Sequence, residues 1–393
     1  MNGTLGLVLT SGGARGAYQA GALRALAEIT RASRLPFQVL SGVSAGSINS
    51  TYLACQAGDF QGATERLARL WSTLRPRDIF LTDGLTLTRT GMAWISDLGF
   101  GAWIGSGRGK SLLVTSPLQR LLGEKLDFGA LRANIATGLV RGVALTATNY
   151  SSGTSVTFYD GTSDIEPWTR TTRMAVREQF SLEHVMASSA IPVFFPAVRV
   201  GGAYYGDGCI RMSTPLSPAI HLGADKVLAI GVRHERSVQR VADLNGARAE
   251  RYPLLADVGG VLLNAMFLDA LESDVERMER INQTLSLIPE SARRSHPSKL
   301  RQVPVMVLKP TRDLGELVAE VMKDFPFAVR HFLKGLGTSS DSGYDLMSYL
   351  AFDSAYTARL EELGYRDTMA AKDAVTRFLE LPVSSTGADP SGA

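Results

Sequence analysis

One serine of the chain stands in a pattern that is typical of nucleophilic serines. The segment Gly42-Val43-Ser44-Ala45-Gly46 matches G-x-S-x-G and lies between a predicted strand at 37–40 and a predicted helix that continues towards Ala57. The glycines at its two ends, Gly42 and Gly46, permit a sharp turn and keep neighbouring side chains away from the serine oxygen, which the helix N-terminus faces. Small residues also build ordinary turns, so the pattern alone makes Ser44 a candidate nucleophile and no more.

A second glycine-rich turn precedes this one along the chain. The segment Ser11-Gly12-Gly13-Ala14-Arg15-Gly16 joins a short apolar run, Leu5–Leu9, to an amphipathic stretch over residues 16–29. Such a turn presents consecutive backbone N–H groups without side-chain obstruction and is a ready anion site. Beside a candidate nucleophile, it predicts an oxyanion hole formed by Gly12, Gly13, Ala14, Arg15 and Gly16.

A phosphate cradle for a nucleotide is the rival interpretation of this turn. Its spacing is G-G-x-x-G rather than the G-x-G-x-x-G of dinucleotide-binding folds, and no acidic ribose partner is evident. Another segment, 105–111, resembles a P-loop, but Ile104 stands where the first glycine of that motif is required. Both observations weigh against nucleotide binding.

A serine nucleophile needs a base, which a histidine or an aspartate could supply. The histidines all lie outside the glycine-rich turns, and they are His184, His221, His234, His296 and His331. The order Ser44, Asp207, then His296 or His331 suits an α/β-hydrolase triad, but only about two predicted strands precede Ser44, fewer than that fold needs. Asp207 lies in a tight glycine turn, before Gly208, where a solvated surface carboxylate is equally ordinary. The residues alone leave the base open.

Four segments in order resemble the signatures of the patatin-like phospholipases, and the resemblance covers about residues 5–232. The segments are Leu7-Val8-Leu9-Thr10-Ser11-Gly12-Gly13-Ala14-Arg15-Gly16-Ala17-Tyr18, Gly42-Val43-Ser44-Ala45-Gly46, Ala187-Ser188-Ser189-Ala190-Ile191-Pro192-Val193-Phe194-Phe195-Pro196 and Asp207-Gly208. The resemblance implies hydrolysis of lipid acyl esters on a three-layer α/β/α fold with a mainly parallel central sheet. It further implies a Ser-Asp dyad of Ser44 and Asp207 without a catalytic histidine, and an oxyanion hole in the first glycine turn.

Three positions depart from the pattern of that family. Ser11 stands where the family usually has the first of three consecutive glycines, and Cys209 stands where Gly or Ala usually follows the Asp-Gly pair. The segment 211–215 lacks the Asn often found before Pro215. Serine and cysteine are small enough to preserve both turns, so these departures bear on substrate detail more than on catalysis.

The elements divide the chain into a catalytic α/β domain at 1–310, a helical C-terminal extension at 311–381 and a disordered tail at 382–393. Insertions are expected at about 75–115 and 233–300, the second of them charged and largely helical. Strands are predicted at 143–148, 156–159, 198–205, 226–232 and 303–308. Residues 83–111 are rich in glycine and carry several large apolar side chains. This composition predicts a segment that either covers the pocket as a lid or inserts into a lipid surface. Apolar residues at helical spacing over 314–325 favour a core-facing helix over a membrane anchor.

Composition sets outer limits on the function. The chain has 393 residues, 45% of them hydrophobic and 20% charged, and a formal net charge of +3 with scattered basic residues, which gives no sign of a nucleic-acid partner. Cys55 and Cys209 form no disulfide framework or C-x-x-C metal pair, and neither a metal nor an organic cofactor is implied. Without an evident signal peptide or membrane-spanning run, we expect a cytoplasmic protein whose membrane contact, if it has any, is peripheral.

The expected partner is therefore a lipid or another acyl ester. The resemblance favours acyl glycerophospholipids and lysophospholipids, while water-soluble esters, thioesters and storage polyesters stay open. A different class of protein is also conceivable, a non-catalytic acyl-ligand-binding or regulatory protein on the same fold. The combination of Ser44, Asp207 and the glycine turn argues against it, since a binding protein needs none of them together.

Overall fold

A computed structural model describes residues 3–82, 111–235, 238–246, 252, 255–295, 300–321 and 344–381 of the chain. The expected lid at 83–111 lies outside these residues except for Ser111, and so do the expected tail and two of the histidines, His296 and His331.

A ten-stranded mixed sheet forms the centre of the molecule, in the order β10-β9-β1-β2-β3-β4-β6-β5, with β8 paired to β3 and β7 paired to β8. The five strands from β10 to β3 run parallel, whereas β4 and β8 are both antiparallel to β3. The strands are β1 Leu5–Leu9, β2 Val39–Val43, β3 Gly142–Asn149, β4 Ser155–Gly161, β5 Thr169–Arg170, β6 Arg173–Arg177, β7 Val198–Val200, β8 Ala203–Asp207, β9 Lys226–Ile230 and β10 Val305–Leu308.

Both faces of the sheet are buried, because successive residues of the inner strands belong to two separate apolar clusters. In β1, Leu7 and Leu9 join one cluster while Val8 joins the other, and Leu40 and Val39 divide in the same way in β2. A strand buried on both faces has an unbroken apolar sequence, which is the pattern of Leu5–Leu9. The sheet with helices on both faces confirms the three-layer α/β/α architecture.

The helices fall into a first group that connects the strands and a second group that follows β9. The first group is α1 Gly16–Thr30, α2 Ala45–Cys55, α3 Phe60–Ser72, α4 Pro76–Ile79, α5 Ser116–Lys125, α6 Phe128–Ala136, α7 Leu182–Ser188 and α8 Ser217–His221. The second group is α9 Val238–Gly246, α10 Leu255–Phe267, α11 Asp269–Ser286, α12 Glu290–Ser295, α13 Leu314–Val321, α14 Tyr344–Leu350, α15 Ser354–Ala370 and α16 Lys372–Phe378.

The C-terminal helices pack directly on the first helix of the chain. α15 crosses α1 so closely that a β-carbon at Gly21 would overlap the carbonyl oxygen of Glu361, and one at Gly364 would overlap the carbonyl oxygen of Tyr18. The apolar residues of α13 are buried in the same large cluster as α1, and they are Leu314, Leu317, Val318 and Val321. The preference for a core-facing helix is confirmed for these four residues, while residues 322–325 of the predicted helix lie outside the described part of the chain.

Several predicted boundaries differ from the observed ones. The predicted strand at 198–205 is a hairpin of β7 and β8, because Gly201 adopts a φ of 56° and reverses the chain. The second strand begins at Val39 rather than at 37 and continues through Val43, directly up to the candidate nucleophile. β5 and β6 were not predicted; β5 has two exposed residues, and β6 has five residues of mixed burial.

Candidate active site

Ser44 lies in a strained turn between β2 and α2. Its φ of 55° and ψ of −126° fall in a region that residues other than glycine rarely adopt. The turn is tight, since a β-carbon at Gly42 would overlap the carbonyl oxygen of Gly46, and one at Gly46 would overlap that of Leu9. The two glycines therefore allow α2 to begin against the ends of β1 and β2, with Ser44 at its N-terminus.

A serine of the third signature supports this turn. The backbone N–H of Ser44 donates a hydrogen bond to Ser188 Oγ at 3.2 Å, and Ser188 Oγ donates to the carbonyl oxygen of Thr146 at 2.7 Å. Ser188 is the last residue of α7 and is fully buried. It ties the strained turn to the neighbouring strand β3.

Strand pairing brings Ser44 and Asp207 together. β2 pairs with β3 up to Val43 opposite Thr146, and β8 pairs with β3 from Ala147, which lies opposite Asp207. Because β4 occupies the other edge of β3 over the same residues, β2 and β8 share one edge and meet end to end. Ser44 follows the last residue of β2 and Asp207 is the last residue of β8, so the two meet at this junction.

Asp207 is fully buried and firmly held. Its N–H donates to the carbonyl oxygen of Ala190 at 2.9 Å, its carbonyl oxygen accepts from Thr148 Oγ1 at 2.9 Å, and Oδ1 accepts from the N–H of Cys209 at 3.0 Å. Oδ2 makes no hydrogen bond with any residue that the structure describes. Burial raises the pKa of Asp207 from its ordinary 3.8 to about 6, although the nearby Ser44 hydroxyl and Cys209 act to lower it.

The first glycine turn lies at the end of β1, next to the turn that holds Ser44. The N–H groups of Arg15 and Gly16 donate within the turn, to carbonyl oxygens of Gly12, Gly13 and Ala14. In the described part of the chain, the N–H groups of Gly12, Gly13 and Ala14 have no acceptor. Of the five residues expected to form the oxyanion hole, these three therefore have N–H groups without an acceptor in the described part of the chain.

A buried polar network that the sequence analysis missed joins the helices beneath both turns. Trp71 Nε1 donates to Asn49 Oδ1 at 2.8 Å, and Asn49 Nδ2 donates to Gln19 Oε1 at 3.0 Å. Gln19 Nε2 in turn donates to the carbonyl oxygen of Thr10 at 2.7 Å. A polar residue on the inner face of a predicted helix, as Gln19 and Asn49 are, is the signal that could have revealed it.

An apolar pocket opens at Ser44 and Gly13. Trp71 and Phe352 contribute to its wall, and Phe352 comes from the segment after α14. The other large apolar residues that line it are Ile48, Leu70, Leu74, Ile79, Leu118, Leu121, Leu122, Ile191 and Phe195. A pocket with this lining suits a hydrocarbon chain, and it reaches Ser44 and Gly13.

The histidines that the structure describes are engaged away from this site. His184 is buried between Phe158 and Phe180, where it accepts from the N–H of Ser181 at 3.1 Å. His221 stacks on Trp168, and His234 lies 3.1 Å from the carbonyl oxygen of Pro310. None of these three is hydrogen-bonded to Ser44 or Asp207.

Two further findings concern metals and membranes. Within the described ranges, no cluster of three or more His, Cys, Asp or Glu side chains could hold a metal ion, and Cys55 and Cys209 are both free and buried, as expected for core residues. None of the described helices combines the length and apolar character that crossing a bilayer requires.

Comparisons with solved structures give distant similarities. VipD from Legionella pneumophila matches at 15% identity and a TM-score of 0.37, over 95% of this chain and 67% of that chain. Human GIVD cytosolic phospholipase A2 matches at 13% identity and a TM-score of 0.44, over 96% of this chain and 60% of that chain. ExoU of Pseudomonas aeruginosa, solved with SpcU, matches at 15% identity and a TM-score of 0.27, over 88% of this chain and 70% of that chain. The chain spans about three fifths of the human protein's length.

The sequence itself gives a firmer relationship. A search of curated proteins finds no significant match. The family model for the patatin-like phospholipases, however, matches residues 7–220, which is more than half of the chain. That range includes both glycine-rich turns, the Ser188 segment and Asp207. The chain therefore belongs to the patatin-like phospholipase family, a family of lipid-hydrolysing esterases.

Proposed function

We propose that the protein is a serine acyl hydrolase of phospholipase A or lysophospholipase type, which cleaves lipid acyl esters through a Ser44-Asp207 dyad. The observation that carries the proposal is the end-to-end meeting of β2 and β8 on β3, beside an apolar pocket. A buried carboxylate with a raised pKa is a stronger base than a solvated one, so Asp207 suits the role. The pocket suits the acyl chain, and the proposed oxyanion donors are the N–H groups of Gly12, Gly13 and Ala14.

In the proposed reaction, Asp207 takes the proton of the Ser44 hydroxyl as Oγ bonds to the ester carbonyl carbon. The glycine turn holds the resulting oxyanion. When the tetrahedral intermediate collapses, the carbon–oxygen ester bond breaks, and the leaving alcohol receives the proton from Asp207. Water then loses a proton to Asp207 and attacks the acyl-enzyme, which releases the fatty acid and returns the proton to Ser44.

The same site would accept other acyl compounds with an apolar tail, such as thioesters or polyesters, because the described lining of the pocket is mostly apolar and suits any hydrocarbon chain. The non-catalytic alternative predicts that the pocket binds a fatty acid without turnover. The triad alternative requires His296 or His331, so His296→Ala and His331→Ala decide it. A loss of about a thousandfold in either folded variant would favour a triad over the dyad.

The test of the proposed function combines covalent labelling with turnover. The full chain is treated with a long-chain fluorophosphonate, the modified residue is located by mass spectrometry, and p-nitrophenyl esters and a phospholipid panel are assayed in parallel. We expect labelling at Ser44 and hydrolysis, both absent in Ser44→Ala and both retained in Ser72→Ala, which changes a partly exposed serine whose hydroxyl donates to the carbonyl oxygen of Arg69 in the same helix. Fatty-acid binding without labelling or turnover would support the non-catalytic alternative instead.

A further inference from the structure

We propose that α14, the helix Tyr344–Leu350, is a working part of the active site that holds the glycine turn in its donor conformation through Arg15. In this view Arg15 is a positioning residue, and its side chain acts on the reaction only through the backbone of the turn. The inference rests on the proposed hydrolase function. It extends the site beyond the residues that match the family, since α14 lies more than a hundred residues after Ile220.

The side chain of Arg15 is directed into the protein, where it contacts three residues of α14. Arg15 is only 2% exposed, its Nε donates to Ser348 Oγ at 2.8 Å, and its Nη2 pairs with Asp345 Oδ1 at 3.0 Å. The guanidinium also lies over the ring of Tyr349, 4.3 Å from its centroid. Three residues of one short helix thus bind a single guanidinium by an ion pair, a hydrogen bond and a cation–π contact.

The partners of Arg15 are themselves fixed. Ser348 Oγ donates to the carbonyl oxygen of Asp345 at 2.6 Å, so the serine oxygen is free to accept the hydrogen bond from Arg15. The hydroxyl of Tyr349 donates to Asn264 Oδ1 at 2.7 Å, and its ring stacks on Phe267 at 4.7 Å between centroids. Both residues belong to α10, so the ring beneath the guanidinium cannot move without disturbing a second helix.

α14 also touches the turn through its backbone. Gly13 has a φ of 54°, and a β-carbon there would overlap the carbonyl oxygen of Tyr349. Phe352, two residues beyond α14, lines the apolar pocket that begins at Ser44 and Gly13. The C-terminal segment therefore meets the proposed oxyanion hole on one side and the proposed acyl pocket on the other.

The turn has few other means of holding its shape. From Ser11 to Gly16, Arg15 carries the only side chain long enough to reach another element, and the hydroxyl of Ser11 has no hydrogen-bond partner among the described residues. Glycine-rich backbone is costly to order, so the three free N–H groups need an external anchor to stay aimed at one point. Oxyanion stabilisation depends on such pre-orientation, so we infer that loosening the anchor lowers kcat.

The molecule provides a matched control for this anchor. Arg24, on α1, makes the same kinds of contact with the next helix, since its Nε pairs with Glu361 Oε1 at 2.8 Å and its guanidinium lies 4.1 Å from the centroid of the Tyr365 ring. Arg15, just before α1, and Arg24, within α1, both attach this part of the chain to the C-terminal helices. Only Arg15 belongs to the glycine turn. If Arg15 served only to hold the C-terminal helices in place, substitutions of the two arginines should therefore change kcat to a similar extent.

The experiment measures ester kinetics and fluorophosphonate labelling rates for Arg15→Lys, Asp345→Asn and Ser348→Ala beside Arg24→Lys. Asp345→Asn keeps the shape of the side chain and removes only its charge, so it guards against simple misfolding. In the three anchor variants we expect kcat to fall about tenfold or more, with KM changed by less than about twofold and Ser44 labelled correspondingly slower. Arg24→Lys should retain kcat. In the double variant Arg15→Lys/Asp345→Asn, the fold-loss in kcat should be smaller than the product of the fold-losses in the two single variants.

Two results would overturn the inference. One is an unchanged kcat in both Arg15→Lys and Asp345→Asn. The other is a loss of kcat in Arg24→Lys equal to that in the anchor variants, which would reduce the role of α14 to general stability. Failure of the proposed function looks different, because the unmodified chain would then show neither turnover nor labelling of Ser44.

Discussion

Ser188 Oγ accepts a hydrogen bond from the N–H of Ser44 at 3.2 Å, and this contact fastens a residue with a φ of 55°. We predict that Ser188→Ala lowers kcat about tenfold, because the strained turn then loses its tie to β3 and a buried N–H is left unpaired. Ester kinetics and thermal unfolding measure the two effects. Thr64→Val is the control, since that buried hydroxyl bonds only to carbonyl oxygens of its own helix. Equal kcat in the two variants would show that Ser188 does not help to position Ser44 for catalysis.

The raised pKa of Asp207 predicts the pH dependence of hydrolysis. A base acts in its deprotonated form, so kcat/KM should rise with pH, level off above about 6 and fall about tenfold for each unit below that value. The profile is measured with a neutral ester, whose own ionisation does not interfere. A midpoint near 4 would mean that Asp207 is solvated in the working enzyme, contrary to its complete burial.

Asp207→Asn should abolish activity while raising the free energy of unfolding. Burial raises the pKa of this carboxyl group in the folded state, so its contribution to stability is present below the unfolded value near 3.9 and is lost as pH rises through about 6. At mildly alkaline pH we expect the variant to be inactive yet more stable by about 1–3 kcal/mol, and at acid pH the gain should disappear. Urea unfolding at the two pH values checks this. Lower stability of the variant at alkaline pH would contradict the sign of the effect.

Gly13 should tolerate no side chain. Gly13→Ala places a methyl group against the carbonyl oxygen of Tyr349 at a φ of 54°, so the turn must move. We predict a fall in kcat of about a hundredfold, comparable with the loss of an oxyanion donor. Gly58→Ala is the control, because its β-carbon would meet open space. Isothermal titration with ATP and NAD tests the nucleotide interpretation, which requires binding and predicts that Gly13→Ala spares ester cleavage.

The apolar pocket predicts a preference for long acyl chains that a single substitution can shorten. Leu118 lies on α5 and lines the same pocket as Ser44, so Leu118→Phe fills part of its volume. We expect kcat/KM for p-nitrophenyl palmitate to fall about tenfold while that for the butyrate ester stays within about twofold. The butyrate ester serves as the internal control. Parallel losses on both esters would indicate a folding defect or a different binding site.

The elements near the site could be predicted because local sequence determines them. The apolar run Leu5–Leu9 and the glycine turns after β1 and β2 are short-range signals, and the structure places them as expected. The reversal of the chain between β7 and β8 depends on the positive φ of Gly201, which the pattern of apolar residues does not indicate. β5 and β6 cannot be predicted from periodicity, because two exposed residues and a strand of mixed burial form no repeating pattern.

The surroundings of the site depend on contacts that sequence spacing does not encode. Motifs indicate Ser44, Asp207 and the glycine turn, but the motif around Arg15 predicts a role only for its backbone N–H group. Its partner Asp345 lies 330 residues away, so no local pattern links the two. The same applies to Trp71 and Asn49, which only the packing of α3 against α2 brings together.

Because β2 and β8 meet on β3, the distance between Ser44 and Asp207 can change only in whole steps of strand register. Side chains alternate between the two faces of a sheet, so a shift of β8 by one residue would be more than a small displacement of Asp207. It would turn the carboxylate to the opposite face and present Gly206 or Gly208 in its place. Insertions and deletions within Ala203–Asp207 should therefore abolish activity. Changes of length at the hairpin tip, Gly201 and Gly202, should leave the distance between Ser44 and Asp207 unchanged, since an added β-carbon there would lie more than 4 Å from other described residues.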